Sequence, residues 1–147
     1  MSFVIGAPAL SLVSIPRFTD ERGSLCVIEW RDLLPFAPQR FYYLVDLAPG
    51  TRRGGHFHFH ESELLIALNG AFSVETHDGR RREEFHLQQP DVALCIPPHV
   101  WHELHDFSPG AVCAVLASQP YDREDYGSDF EQFLEACRTR HLEDRSA

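Results

Sequence analysis

The chain contains no lysine. All thirteen basic residues among its 147 are arginines, which excludes Schiff-base chemistry and the phosphate-cradling lysine of a P-loop. An excess of positive charge is missing as well. The formal net charge is −9, which argues against broad electrostatic binding to nucleic acid or to anionic membrane. No apolar run approaches the ~20 residues that span a bilayer, and no basic stretch followed by an apolar signal core opens the sequence. The expected location is therefore the cytoplasm. Cys26, Cys95, Cys113 and Cys137 form no C-x-x-C pair, so free thiols are expected rather than a disulfide framework.

What is present is a series of short β-rich runs with turn signals between them. They cover 10–15, 24–30, 40–47, 63–70, 71–79, 82–88, 91–98, 100–107 and 111–118, with Asn-Gly and Asp-Gly hairpin signals at 69–70 and 78–79. Strands of this length and spacing predict an antiparallel barrel or sandwich over about 10–118. One segment departs from the pattern. Phe130, Phe133, Leu134 and Cys137 recur at helical spacing, behind an S-x-x-E capping box at Ser128 and Glu131. A single amphipathic helix is expected over about 128–142, followed by a frayed polar tail. With no repeat or linker, the whole of 1–147 reads as one domain.

The stretch GGHFHFHESELLIALNG at 54–70 carries the chemistry. Histidines at alternate positions of a strand project from one face, so His56, His58 and His60 should share a face of one strand. Gly50, His56, His58, Glu63 and Gly70 satisfy G-x5-H-x-H-x4-E-x6-G, and Pro97 and His102 in PPHVWH satisfy P-x-G-x2-H except that His99 stands at the glycine. The pair of motifs resembles the cupin superfamily, which implies a small double-stranded β-helix (jelly-roll) barrel. In such a half-dry pocket desolvation keeps imidazoles neutral, ready to act as base or ligand. In metal-binding cupins His56, His58, Glu63 and His102 would be the ligand quartet. His60, His77, His86, His105 and His141 read as solvated or locally hydrogen-bonded.

Longer blocks narrow the resemblance. RGSLCVIEW (22–30), RFYYLVDLAPGTRRGGHFH (40–58), LLIALNGAFSV (64–74), IPPHVWHELHDFSPGAVCAVLAS (96–118) and YDREDYGSDFEQFL (121–134) resemble the dTDP-4-keto-6-deoxyglucose 3,4-ketoisomerases, the WxcM-like C-terminal domains. The resemblance covers roughly 17–135. It implies an isomerase without a redox cofactor or metal, acting on a dTDP-linked 6-deoxyhexose. The C4 ketone moves to C3, ready for amination on the way to 3-amino-3,6-dideoxysugars of glycans such as O-antigen, or of antibiotics. It also implies a homodimer with exchanged N-terminal strands.

Such a reaction needs a base for the C3 proton, acidic because it lies α to a carbonyl, and a second group to shuttle protons between the oxygens. His56 and His58 suit those two roles, and by position the family's active-site tyrosine maps onto Tyr43. The diphosphate needs cations. Arg22, Arg40 and Arg53, with Arg17 in reserve, are the candidates, since guanidinium forks suit phosphate oxygens. Trp101 is a candidate to stack on sugar or thymine, and His102 completes the substrate pocket. Where the family carries basic residues after H-x-H and then His-Gln, this chain has Phe59 and His60 and then Ser62 and Glu63. Glu63 is expected to accept a hydrogen bond that orients a histidine. It also keeps two alternatives open: a metal-dependent cupin (dioxygenase or isomerase) and a non-catalytic sugar-binding cupin.

Overall fold

The structure, a computed structural model, describes residues 8–147; positions 1–7 of the expected single domain lie outside them. Eight of the nine predicted β-rich runs, with further strands at 53–58 and 126–127, pair into two five-stranded antiparallel sheets. The first orders β1 (Ser11–Ser14), β9 (Val92–Ile96), β6 (Glu63–Asn69), β11 (Val112–Ala117) and β4 (Arg40–Leu44). The second orders β12 (Tyr126–Gly127), β5 (Arg53–His58), β10 (Trp101–His105), β7 (Phe72–His77) and β8 (Arg82–Leu87). The chain is an all-β jelly-roll barrel carrying a long C-terminal helix.

The core lies between the sheets. Leu65, Phe72, Val74, Leu94, Ile96 and Val115 interdigitate there, each strand lending alternate residues. The outer face of the first sheet is apolar too, and Leu64, Ile66, Ala93 and Cys95 are covered there by Leu34 with Ile28, Leu33 and Phe36. That cover corrects one boundary. The strand predicted over 24–30 ends early, as β3 (Gly23–Cys26), and the chain continues into a four-residue helix α1 (Trp30–Leu33). With β2 (Arg17–Asp20), β3 forms a separate hairpin outside both sheets.

The C-terminal helix α2 runs from Phe130 to Ser146, later at both ends than its sequence signals. Its N-cap is Asp129, whose side chain accepts from the Gln132 N–H at 2.9 Å. Helical dihedrals begin at 130, leaving Ser128 one residue too far upstream to cap. No glycine or proline stops the helix at 142. Its buried face sets Phe133 and Cys137 against Phe57, with Trp101 and Phe59 alongside. All four cysteines are free thiols.

Candidate active site

The second sheet delivers the histidines. On β5, His56 faces inward and stands directly opposite His102 of β10, and the ladder bulges just beyond, between His102 and Glu103. Gly54 makes this register possible. It holds φ +84°, and a Cβ there would come within 3.0 Å of the His102 carbonyl oxygen. The turn before β10 accounts for the odd residue in the second motif. His99 sits at φ 61°, the left-handed region that makes glycine usual at this position. Its N–H donates to the His58 carbonyl at 2.8 Å, and the strained turn is held by that bond.

These residues open on a cavity of about 400 Å³ between the sheets, lined by Arg40, Tyr42, Arg53, His56, Glu63, His102, Tyr121 and Tyr126 with an apolar floor of Leu44, Leu65, Leu104 and Val115. Ring centroids of His56 lie 4.7 Å from His102 and 5.0 Å from His58. Glu63, 2% exposed, ties the wall together. Its Oε1 accepts from the Tyr42 hydroxyl at 2.6 Å, and its Oε2 lies 3.3 Å from Nε2 of His102. His102 in turn places Nδ1 3.1 Å from the Val100 carbonyl.

The electrostatics separate the groups. Burial, with the neighbouring His102 and His58, pushes His56 down to about 3, so its imidazole is neutral across the physiological range and its Nε2, which has no protein partner, is a free base. Burial likewise lowers His58, against the pull of Glu63. For Glu63, burial alone would raise the pKa, but His102, His58 and Tyr42 together hold it below the ordinary carboxylate value. Glu61 moves the other way, raised by burial and by the Glu63 charge.

His58 sits behind the cavity wall rather than on it. It is 2% exposed and ringed by carboxylates, with Asp125 at 3.4 Å and Glu61 and Glu63 each at 3.7 Å. Asp125 closes this arrangement by accepting from the backbone N–H groups of His60 and Glu61.

Several predicted site residues are elsewhere. Tyr43 is 59% exposed on the outer face of β4, packed beside Phe41; strand alternation turns Tyr42 inward in its place. Trp101 is likewise on the outer face of β10, its ring 5.2 Å from Phe130 of α2, so it packs the helix and does not line this cavity. Arg22 lies on the β2–β3 hairpin, 83% exposed and paired with Asp20, and Arg17 pairs with Asp91 at 3.5 Å. Arg40, Arg53, His56, Glu63 and His102 do come together around one cavity. Glu61, Asp125 and Tyr126 are site residues that the sequence motifs do not single out. Asp125 and Tyr126 fall in the YDREDY block, whose acidic and aromatic residues carry no ligand-like spacing of their own.

One donor atom each from His56, His58, Glu63 and His102 lies within 4.8 Å of all the others. Three imidazoles and a carboxylate at this separation fit a divalent ion of the Fe, Mn, Ni or Zn type.

Comparison with known proteins agrees with this architecture. Residues 9–138 match the family model described as FdtA, WxcM-like, C-terminal. A TDP-4-oxo-6-deoxy-α-D-glucose-3,4-oxoisomerase from Aneurinibacillus thermoaerophilus is 38% identical over 132 residues, 90% of this chain and 95% of that protein. Among solved structures, the sugar 3,4-ketoisomerase QdtA of Thermoanaerobacterium thermosaccharolyticum in complex with TDP superposes with TM-score 0.86 at 32% identity, covering 89% of this chain and 96% of its own. The TDP-quinovose 3,4-ketoisomerase WlaRB of Campylobacter jejuni does so with TM-score 0.82 at 34% identity, covering 85% and 96%.

Proposed function

The chain belongs to the FdtA family of WxcM-like C-terminal domains, and on that premise we propose that it is a sugar-nucleotide isomerase, a dTDP-4-keto-6-deoxyglucose 3,4-ketoisomerase built as a single cupin domain. The observation that carries the reading is His56: a neutral imidazole, its Nε2 without a protein partner, on a residue that lines the cavity beside the Tyr42–Glu63–His102 chain.

His56 removes the C3 proton, and the electron pair of that C–H bond becomes the C3–C4 double bond while the carbonyl pair moves onto the C4 oxygen. The ene-diolate then collapses the other way. The C3 hydroxyl proton passes to the C4 oxygen, the C3 ketone forms, and C4 takes back a proton from the same imidazole. Nothing is oxidised overall, so no redox cofactor enters. His58, caged by carboxylates just behind the wall, supports the proton traffic between oxygens, and Arg53, exposed at the cavity rim, holds the diphosphate.

The enzyme acts as a homodimer in which the N-terminal strand, paired with β9 of its own chain here, is exchanged for the partner's. Phe18 and Leu25 on the hairpin and Phe41 and Tyr43 on β4 are each more than half exposed, an apolar surface suited to a second copy. Arg22 meets a nucleotide only where the hairpin of one subunit lies against the cavity of another. Four free thiols suit the reducing cytoplasm.

Incubation with dTDP-4-keto-6-deoxyglucose in deuterated buffer tests the reading. The 3-keto product with deuterium at C4 is expected; unchanged substrate, with dTDP unbound, would remove it. The donor cluster favours a second reading, a metal-dependent cupin whose ion, held by His56, His58, Glu63 and His102, would polarise the substrate oxygens. Activity abolished by chelation and restored by one metal would promote it.

A further inference from the structure

Two half-buried polar groups of this wall, Arg40 and Tyr126, and the buried Glu61 behind them take no part in the proton transfers. Arg40 opens β4 with its side chain only 18% exposed. Its Nη2 donates to Oε1 of Glu61 at 2.9 Å, and its guanidinium carbon lies 5.4 Å over the Tyr42 ring and 5.7 Å over that of Tyr121. The second terminal nitrogen, Nη1, is buried without a protein partner. Tyr126 on β12 stands in register with His58, its ring 4.9 Å from His56 and 4.4 Å from His58. Its phenol O–H, one of the groups lining the cavity, is a hydrogen-bond donor.

A diphosphate is the obvious partner for an arginine, but Arg40 is poorly built for one. One arm of its guanidinium is already taken by Glu61, itself 3% exposed, so it lacks the free fork that suits a diphosphate. Directed N–H donors at Nη1 remain. Held rigidly in a water-poor site, they suit a single negative charge developing on a ketone oxygen. The backbone that carries this carboxylate is fixed as well: the Glu61 N–H donates to Oδ2 of Asp125 at 3.1 Å. The exposed Arg53 at the rim is the better diphosphate cation, having no ion-pair partner among the described residues.

Resting on the ketoisomerase reading, we propose that Arg40 and Tyr126 are catalytic donors to the ene-diolate oxygens, and that Glu61 is the positioning residue that aims Arg40. When the C3–H pair becomes the C3–C4 double bond, the charge arriving on the C4 oxygen is met by Nη1–H and the Tyr126 O–H. Neither donor gives up its proton. The charge is discharged when the C4 oxygen takes the proton that leaves the C3 hydroxyl, and the C3 ketone then forms as His56 reprotonates C4.

The test pairs turnover of the 4-keto sugar with titration of dTDP alone, which has the diphosphate but no ketone. Arg40→Lys and Tyr126→Phe are expected to lower kcat by ~100-fold or more, the scale of losing one oxyanion donor, with dTDP affinity within about twofold of wild type; that retained affinity also reports folding. Glu61→Leu should lower kcat with KM little changed. Glu61→Gln, which keeps an acceptor oxygen for Nη2, should recover most of the loss. A fall in dTDP affinity for Arg40→Lys that matches its fall in kcat/KM would overturn the proposal and return Arg40 to the diphosphate. So would full turnover by Tyr126→Phe. Failure of the underlying reading is seen separately, in wild-type protein that turns over no 4-keto sugar.

Discussion

The Tyr42 hydroxyl and Nε2 of His102 hold the two oxygens of one buried carboxylate, Glu63, at 2.6 Å and 3.3 Å. Two strands of one sheet and one strand of the other are thereby fixed through a single group, on the wall facing His56. Tyr42→Phe removes a donor from this chain without removing a ring, and is expected to lower kcat ~10–100-fold, the scale of disturbing a group that orients an active-site histidine. Tyr43→Phe, on the outer face, should turn over as wild type. The reverse ranking in steady-state kinetics would put the wrong tyrosine in the cavity.

His56→Asn should cut turnover by ~100-fold or more, the usual scale for a general base, while dTDP still binds. Calorimetry and a coupled aminotransferase assay read the two quantities. Equal loss of binding and turnover would make His56 a ligand-binding group instead.

Arg53→Ala should weaken dTDP by ~1.5–3 kcal/mol, the range for charge-assisted hydrogen bonds. Arg22→Ala should weaken it only in protein that sediments as a dimer, because the hairpin carries Arg22 away from the cavity of its own chain. A monomer that loses dTDP affinity on Arg22→Ala would contradict this placement.

Acid stability follows from the same buried groups. His56 and His58 resist protonation in the fold, so the unfolded chain binds protons first as pH drops below their ordinary 6.5, and stability falls. Glu61, raised above 4.5, opposes this between 4.5 and 6.5, because its proton is bound more tightly in the fold. Below 4.5 the lowered Glu63 joins the histidines. Unfolding free energies from urea titration should therefore decline from pH 6.5, by on the order of 1.4 kcal/mol per pH unit for one net proton, and more steeply below 4.5, where Glu61 no longer opposes and Glu63 adds its own proton. Glu63→Gln should lessen the steepening. A profile flat down to pH 4 would refute the assignment.

Catalysis and tight metal binding compete for His56, since a coordinated imidazole has no lone pair left for a carbon-bound proton. Activity should survive EDTA, and added Zn²⁺ should inhibit. Dependence on one restored metal would reverse the choice between the two readings.

The histidine strand was legible because its signals are local. A period of two places His56 and His58 on one side whatever the rest of the chain does, and the turn glycines and prolines cut the sequence into strands before any pairing is known. The family blocks carried the fold for the same reason. Alternation also splits β4 into Phe41 and Tyr43 against Tyr42 and Leu44, but both sets are apolar, and hydrophobic pattern alone cannot tell which one faces the cavity. Pairing with β11 decides it. Trp101 was equally ambiguous until α2 covered its face. Glu61, Asp125 and Tyr126 required the whole fold. Tyr126 meets His58 across a ladder joining positions sixty-eight residues apart, and the wall of buried carboxylates exists only because burial and close approach, which no local pattern encodes, bring Glu61 and Asp125 together at the back of one imidazole.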